Sequence, residues 1–311
     1  MLSRIAERMY WMARYLERVE STARLVKVYA NLLMDLPQEI DIGWYNLVVL
    51  NSGTENFAKR YKNRDERNVV KFMLADEHNP GSLGSALVMA RENIRTSRDA
   101  LPVETWEMIN DLSIYARANM KRGVNRRHRQ KFLDTMIGGV QQINGLLNGN
   151  MSHDAAWQFM RLGRNLERAD MTTRSLDAAA SVLMRAGADT SANLNEIVWG
   201  NMLSSLSAYH PYRRSMRTSI AGAPVARYLL EDTSFPRAVG FCMVHIHHAC
   251  THLPRAEPVV ERLSDVGQRA FGGFDYADLS EPFRDYLNTM QLHLADLHGA
   301  IEANWFELRD A

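Results

Sequence analysis

Two charged stretches carry the residue types that could do chemistry. Arg14-Tyr15-Leu16-Glu17-Arg18-Val19-Glu20-Ser21-Thr22-Ala23-Arg24 returns, 150 positions later, as Arg164-Asn165-Leu166-Glu167-Arg168-Ala169-Asp170-Met171-Thr172-Thr173-Arg174. Six of the eleven positions are identical and a seventh exchanges one acid for another. A guanidinium grips a carboxylate or phosphate through paired donors, so Arg14, Arg18, Arg24, Arg164, Arg168 and Arg174 are candidate binding residues. Glu20 and Asp170 would complete that charged set. Glu17 and Glu167 are the candidate catalytic groups, because a buried carboxyl with a raised pKa can act as general acid or base.

Helical spacing decides how these charges are presented. At about 100° per residue, Leu2, Ile5, Met9, Met12, Leu16, Val19, Ala23 and Val26 form one apolar face. Arg14, Glu17, Ser21 and Arg24 fall opposite it or on its shoulder. The plain reading is a solvent face with Arg14–Glu17, Glu17–Ser21 and Glu20–Arg24 pairs at i,i+3 and i,i+4. Yet Tyr10, Trp157, Met160 and Met171 lie among the charges. A helix covered on both sides must pair its charges. Two further readings follow: a network that holds two halves together, or a preorganised site for a charged ligand.

Other constellations are weaker. Arg91, Arg95 and Arg98 share a helical face and suit a carboxylate or phosphate, or are simply solvated. His245, His248 and His252 share another face, with Cys242 one turn before; imidazoles at this spacing can ligate a metal, although one helix seldom offers three ligands to one ion. The basic run 121–129 reads as a helix–helix connection that docks a protein, binds nucleic acid or has no role. It lacks the aromatic residues of a single-strand binder, which disfavours nucleic acid. Phe271, Phe274 and Tyr276 form an aromatic loop, an interface patch or tucked-in packing. No P-loop, G-x-G-x-x-G, G-x-S-x-G or H-E-x-x-H motif occurs, and no cofactor is expected.

These groups need helices to position them. The 311 residues are 46% hydrophobic and 23% charged, with 37 basic against 36 acidic side chains, so no global charge points to nucleic acid or an anionic membrane. Strand-like alternation is absent. The expected fold is all-α, a helical bundle of two tandem pseudo-repeats, 1–150 and 151–311, with five to six helices each, packed as one body. Trp44 is echoed by Trp199, Phe72 by Tyr228, and Phe132 by Tyr286, at offsets of 154 to 156. The first repeat is expected to hold helices near 3–35, 41–62, 65–75, 83–98, 102–121 and 126–147. Ser152 is expected to cap the second long helix, 153–185. Two cysteines about 12 Å apart on one helix cannot form a disulfide with each other. With no apolar leader or spanning segment, a cytoplasmic, soluble protein is expected.

The Glu17-Arg18 and Glu167-Arg168 pairs, Phe72-Met73-Leu74-Ala75-Asp76 with Pro80, and Ala90-Arg91-Glu92-Asn93 with Arg95 and Arg98 resemble the bacterial alpha-E family. The resemblance implies a helical domain found beside circularly permuted ATP-grasp ligases and transglutaminase-like cysteine peptidases, in the making or processing of peptides or amide-linked metabolites. It carries no established catalytic residue. The expected function is an accessory or substrate-binding subunit of such a ligase, taking an acidic or peptide-like ligand. Its rivals are a freestanding enzyme using Glu17 or Glu167, and a purely structural assembly module.

Overall fold

A computed structural model describes residues 3–35, 43–186, 192–270 and 274–307; Leu2 and Phe271 lie outside them. The described residues are helical and contain no strand. The first half holds α1 (Ser3–Asp35), α2 (Asn46–Leu50), α3 (Thr54–Ala58), α4 (Glu66–Leu74), α5 (Leu83–Arg95), α6 (Glu104–Val124) and α7 (Arg126–Asn150). The second holds α8 (Ala155–Ala186), α9 (Ala192–Ser205), α10 (Tyr209–Met216), α11 (Gly222–Glu231), α12 (Val239–Cys250), α13 (Glu257–Ala270) and α14 (Glu281–Trp305).

The two longest helices, α1 and α8, lie against each other at the centre. Helices α5 and α7 flank α1, while α12 and α14 flank α8. Neither central helix is one-sided. Met9, Met12, Leu16, Val19, Ala23 and Val26 are buried as expected, but so are Tyr10, Glu17, Glu20, Ser21 and Arg24 on the opposite face. Gly163 permits the close approach: a Cβ there would stand 2.1 Å from the Tyr10 carbonyl oxygen. Any larger residue would push the two axes apart.

Several expected boundaries shift, each for a local reason. The helix expected over 41–62 is broken into α2 and α3 where Ser52 takes a left-handed φ of 53°, and residues 41 and 42 lie outside the described set. The helix expected to reach Arg98 ends at Arg95, followed by a 3-10 turn over Arg98–Ala100. Ser82 does cap α5, its side chain accepting the Ser85 N–H. At α8 the capping acceptor is Asp154 rather than Ser152: its Oδ1 takes the N–H of Ala156 at 2.9 Å and of Trp157 at 3.3 Å. The basic run 121–129 is not a loop. Asn125 alone is extended, and its side chain accepts the Arg127 N–H at 3.0 Å to start α7 at once.

Candidate functional site

The paired stretches meet along the α1–α8 contact and exchange partners. The Glu167 carboxylate receives Arg14 Nε at 2.8 Å, Arg18 Nε at 2.6 Å and Arg18 Nη2 at 3.0 Å. In return, Glu17 Oε2 receives Arg168 Nη2 at 2.7 Å. Thus the expected Arg14–Glu17 pair within one helix is replaced by pairs between helices, whereas Ser21 Oγ does donate to Glu17, at 3.2 Å. The reason is reach: i,i+3 partners on a covered face must also satisfy the facing helix, and a fork between helices serves both.

The outer positions are reciprocal too. Arg24 Nε and Nη2 hold Glu20 Oε1 at 2.9 and 2.8 Å, and its Nη1 donates to the Ser205 carbonyl and the Ser207 hydroxyl. Arg174 Nε holds Asp170 at 2.8 Å, and its Nη1 donates to the Leu50 carbonyl and reaches the Ser52 hydroxyl. Ser52 and Ser207 both have positive φ, 53° and 56°. Each arginine therefore pins the turn that follows a helix of the opposite half.

The symmetry ends at Arg237. Its Nη1 donates to Glu17 Oε1 at 2.6 Å and its Nη2 to Glu20 Oε1 at 2.7 Å, while Thr172 Oγ1 holds the Arg237 carbonyl at 2.9 Å. The position was not singled out from the sequence, yet a signal was there: Arg237 follows Pro236 in the echoed segment, where Gly81 follows Pro80. Arg164, the counterpart of Arg14, has no carboxylate partner among the described residues. It donates to Asn148 Oδ1 at 3.1 Å, and burial, with Arg168 nearby, lowers its pKa to about 10.

Burial pushes both central carboxyls up, but the arginines outweigh it. Arg168 and Arg237 hold Glu17 well below the usual carboxylate range; Arg18 and Arg14 bring Glu167 down to about 2. This is opposite to the raised pKa that a general acid or base at Glu17 or Glu167 requires. Both groups are ionised at neutral pH, and at 0% and 1% exposure they offer no face to a substrate. Beside them, Tyr10 Oη lies 2.8 Å from His298 Nδ1, and burial, then Arg14, brings that imidazole down to about 4.

Other candidates lie apart from this network. Arg91 donates to Asn110 at 2.7 Å and Arg98 stands 3.8 Å from the Trp106 ring centroid, while Arg95 pairs with Glu92 in solvent. On α12, the Nδ1 atoms of His245 and His248 lie 2.7 and 3.1 Å from Arg161, whereas His252 lies beyond the helix end, its Nδ1 2.8 Å from the His248 carbonyl. Among the described residues, no three His, Cys, Asp or Glu side chains gather where they could hold one metal ion. Phe274 packs on Phe283 and Tyr286, and Tyr276 donates to Glu231 at 2.9 Å, so these aromatics are tucked in. Cys242 and Cys250 are buried free thiols, each pushed up to about 12 by burial.

A helical domain with a Glu-Arg motif is what one family profile describes. Alpha-E, described as a predicted alpha-helical domain with a conserved ER motif, matches residues 1–306. The chain belongs to the Alpha-E family. Relatives from Mycobacterium bovis and from two strains of Mycobacterium tuberculosis, each called an uncharacterised protein, are 22% identical over 339 aligned positions. The alignments cover 99% of this chain but 36% of each relative, so the chain spans about a third of their length. No solved structure matches. Among the described residues, no helix is long and apolar enough to cross a membrane.

Proposed function

We propose that this Alpha-E chain is a helical accessory module in which the ER network is a lock, joining two halves that arose by tandem duplication into one platform. The reciprocal exchange, Glu17 with Arg168 and Glu167 with Arg18, carries this reading. The arginine of each ER pair is occupied by a carboxylate of the facing half, so that pair recognises its counterpart rather than a ligand. Breaking a buried pair strands a charge, and that cost makes the halves cooperative.

The platform works, in this reading, with a circularly permuted ATP-grasp ligase, and with a transglutaminase-like peptidase where one accompanies it, in the cytoplasm. The reaction served is the making of a peptide or amide-linked metabolite. Support comes from the family resemblance and from relatives in which the aligned region is part of a much longer polypeptide. ATP activation belongs to the partner, and this chain contributes a surface that binds the ligase or presents an acidic, peptide-like substrate.

Co-expression with a circularly permuted ATP-grasp ligase tests both parts, reading complex formation, ATP-dependent amide product and thermal melting for wild type, Glu17→Gln and Glu167→Gln. The expected result is a complex that makes product, with variants that melt earlier but support product at temperatures where they remain folded. A folded, ligase-bound variant that makes no product would overturn the lock and return the motif to the chemistry. Wild type that neither binds the ligase nor raises its product would remove the ligase from the proposal.

A further inference from the structure

A cavity of about 760 Å3 opens between α4, the end of α6 and the start of α7, far from any ER residue in its lining. Arg67 and Lys71, one turn apart on α4, face Lys121 on α6 and Arg126 and Arg129 on α7. Glu66 is the one acid in the lining; its Oε1 lies 2.8 Å from Arg129 Nη2 as an ion pair without hydrogen-bond alignment. Among the described residues, Arg67, Lys71, Lys121 and Arg126 have no ion-pair partner.

Arg129 sharpens the case. It is 4% exposed, and its guanidinium stands 4.9 Å from the Trp44 ring centroid while Nη2 donates to the Val124 carbonyl at 3.1 Å. Its Nε is buried with no hydrogen-bond partner. That atom is shielded from the cavity, so Arg129 adds a fixed positive charge to the wall rather than a free donor. The helix start adds to it. The first turn of α7 carries Arg126, Arg127 and Arg129 and no acid, the reverse of what the positive end of a helix favours. An anion seated by Asn125 and Arg126 would meet that helix end and the surrounding cations together.

We propose that this cavity binds a small polyanion carrying two or more phosphate or carboxylate groups. The volume falls within the roughly 300–1,000 Å3 of small-molecule sites. Met120 and Val124 supply an apolar wall for the rest of the ligand. A nucleic-acid strand is a poorer fit, since the lining contains no aromatic ring on which bases could stack. The site is independent of the ER lock and of the ligase reading.

Isothermal titration at about 50 mM salt, where surface charges are weakly screened, decides the matter. Inorganic triphosphate and citrate are the phosphate and carboxylate probes; a short oligouridylate and a polyglutamate peptide are the macromolecular comparators. Wild type should bind at least one small probe saturably, one per chain, and the tighter probe names the anion class. Lys71→Ala with Arg126→Ala should weaken it roughly tenfold or more, as loss of charge-assisted contacts does. Arg129→Gln, which removes that fixed charge, should weaken it as well; if that variant fails to fold, the exposed double variant still decides. No saturable binding of either small probe, unchanged affinity in the double variant, or binding confined to the comparators would overturn the proposal.

Discussion

Two regions rich in arginine dispose of their charge in opposite ways. At the α1–α8 contact, six guanidiniums are spread over four carboxylates, with Glu17, Glu20 and Glu167 at 1% exposure or less. At the α4/α6–α7 cavity, five cations share one carboxylate, and most of them are open to solvent. Burial accounts for the difference. Charges without water must find partners within the protein, whereas a solvated cation can be left unpaired at little cost. The region with the more recognisable motif is therefore the one already filled by itself.

The largest effect should come from breaking the filled region. Glu17→Ala removes the carboxylate partner of Arg168 and one of the two carboxylate partners of Arg237. Stranding buried charges in this way costs about 3–5 kcal/mol, to be read from urea unfolding at pH 7. A loss below about 1 kcal/mol, the range of exposed pairs, would place the network in the same class as the surface and dissolve the contrast. Gly163→Ala comes next. Its Cβ would meet the Tyr10 carbonyl at 2.1 Å, and forcing apart a packed contact costs about 1–3 kcal/mol. Because that change removes no charge, it separates the closeness of α1 and α8 from the pairing that closeness allows.

Acid should act on the network through its buried carboxylates. Glu167 is brought from 4.5 down to about 2 in the folded chain. A depressed folded pKa means stability that is complete above the unfolded value and is lost as pH falls through the folded one. Unfolding free energy should therefore decline between about pH 4.5 and about pH 2. Glu167→Gln should be less stable at neutral pH and show a shallower decline over that window, by urea titrations at stepped pH. An unchanged slope would mean that Arg14 and Arg18 do not hold this carboxylate as described.

Much of the fold was legible because it depends on local periodicity. The apolar rows of α1, the Ser82 cap and the shared helix of Cys242 and Cys250 all follow from spacing alone. The motif residues were legible as a set, but their partners were not. Glu17 was read toward Arg14 on its own helix, and it pairs instead with Arg168 and Arg237, 151 and 220 positions away. Spacing says which residues share a face and nothing about which helix covers it. Arg237 was missed for a related reason: it sits just before α12 rather than on a charged stripe, and its position is fixed by Thr172. The basic run was visible, but its cavity was not. Arg67 and Lys71 come from a helix some fifty positions earlier, and the expected loop proved to be two helix ends meeting at Asn125.

The smallest expected effect tests the unfilled region. Arg67→Ala with Lys71→Ala should change stability by no more than about 0.5 kcal/mol, as surface substitutions do. The sign should be a slight gain at low salt, because two cations are withdrawn from a crowded cluster, and the gain should vanish near 1 M salt, where the screening length is about 3 Å. Lys71 also stands 5.8 Å from the Tyr61 ring centroid, a contact whose loss works weakly the other way. Melting curves at low and high salt give both the size and the sign. A salt-independent loss well above 0.5 kcal/mol would mean that these cations hold the fold as the ER arginines do. A salt-sensitive gain would instead locate the repulsion in the cavity, where a bound anion would relieve it.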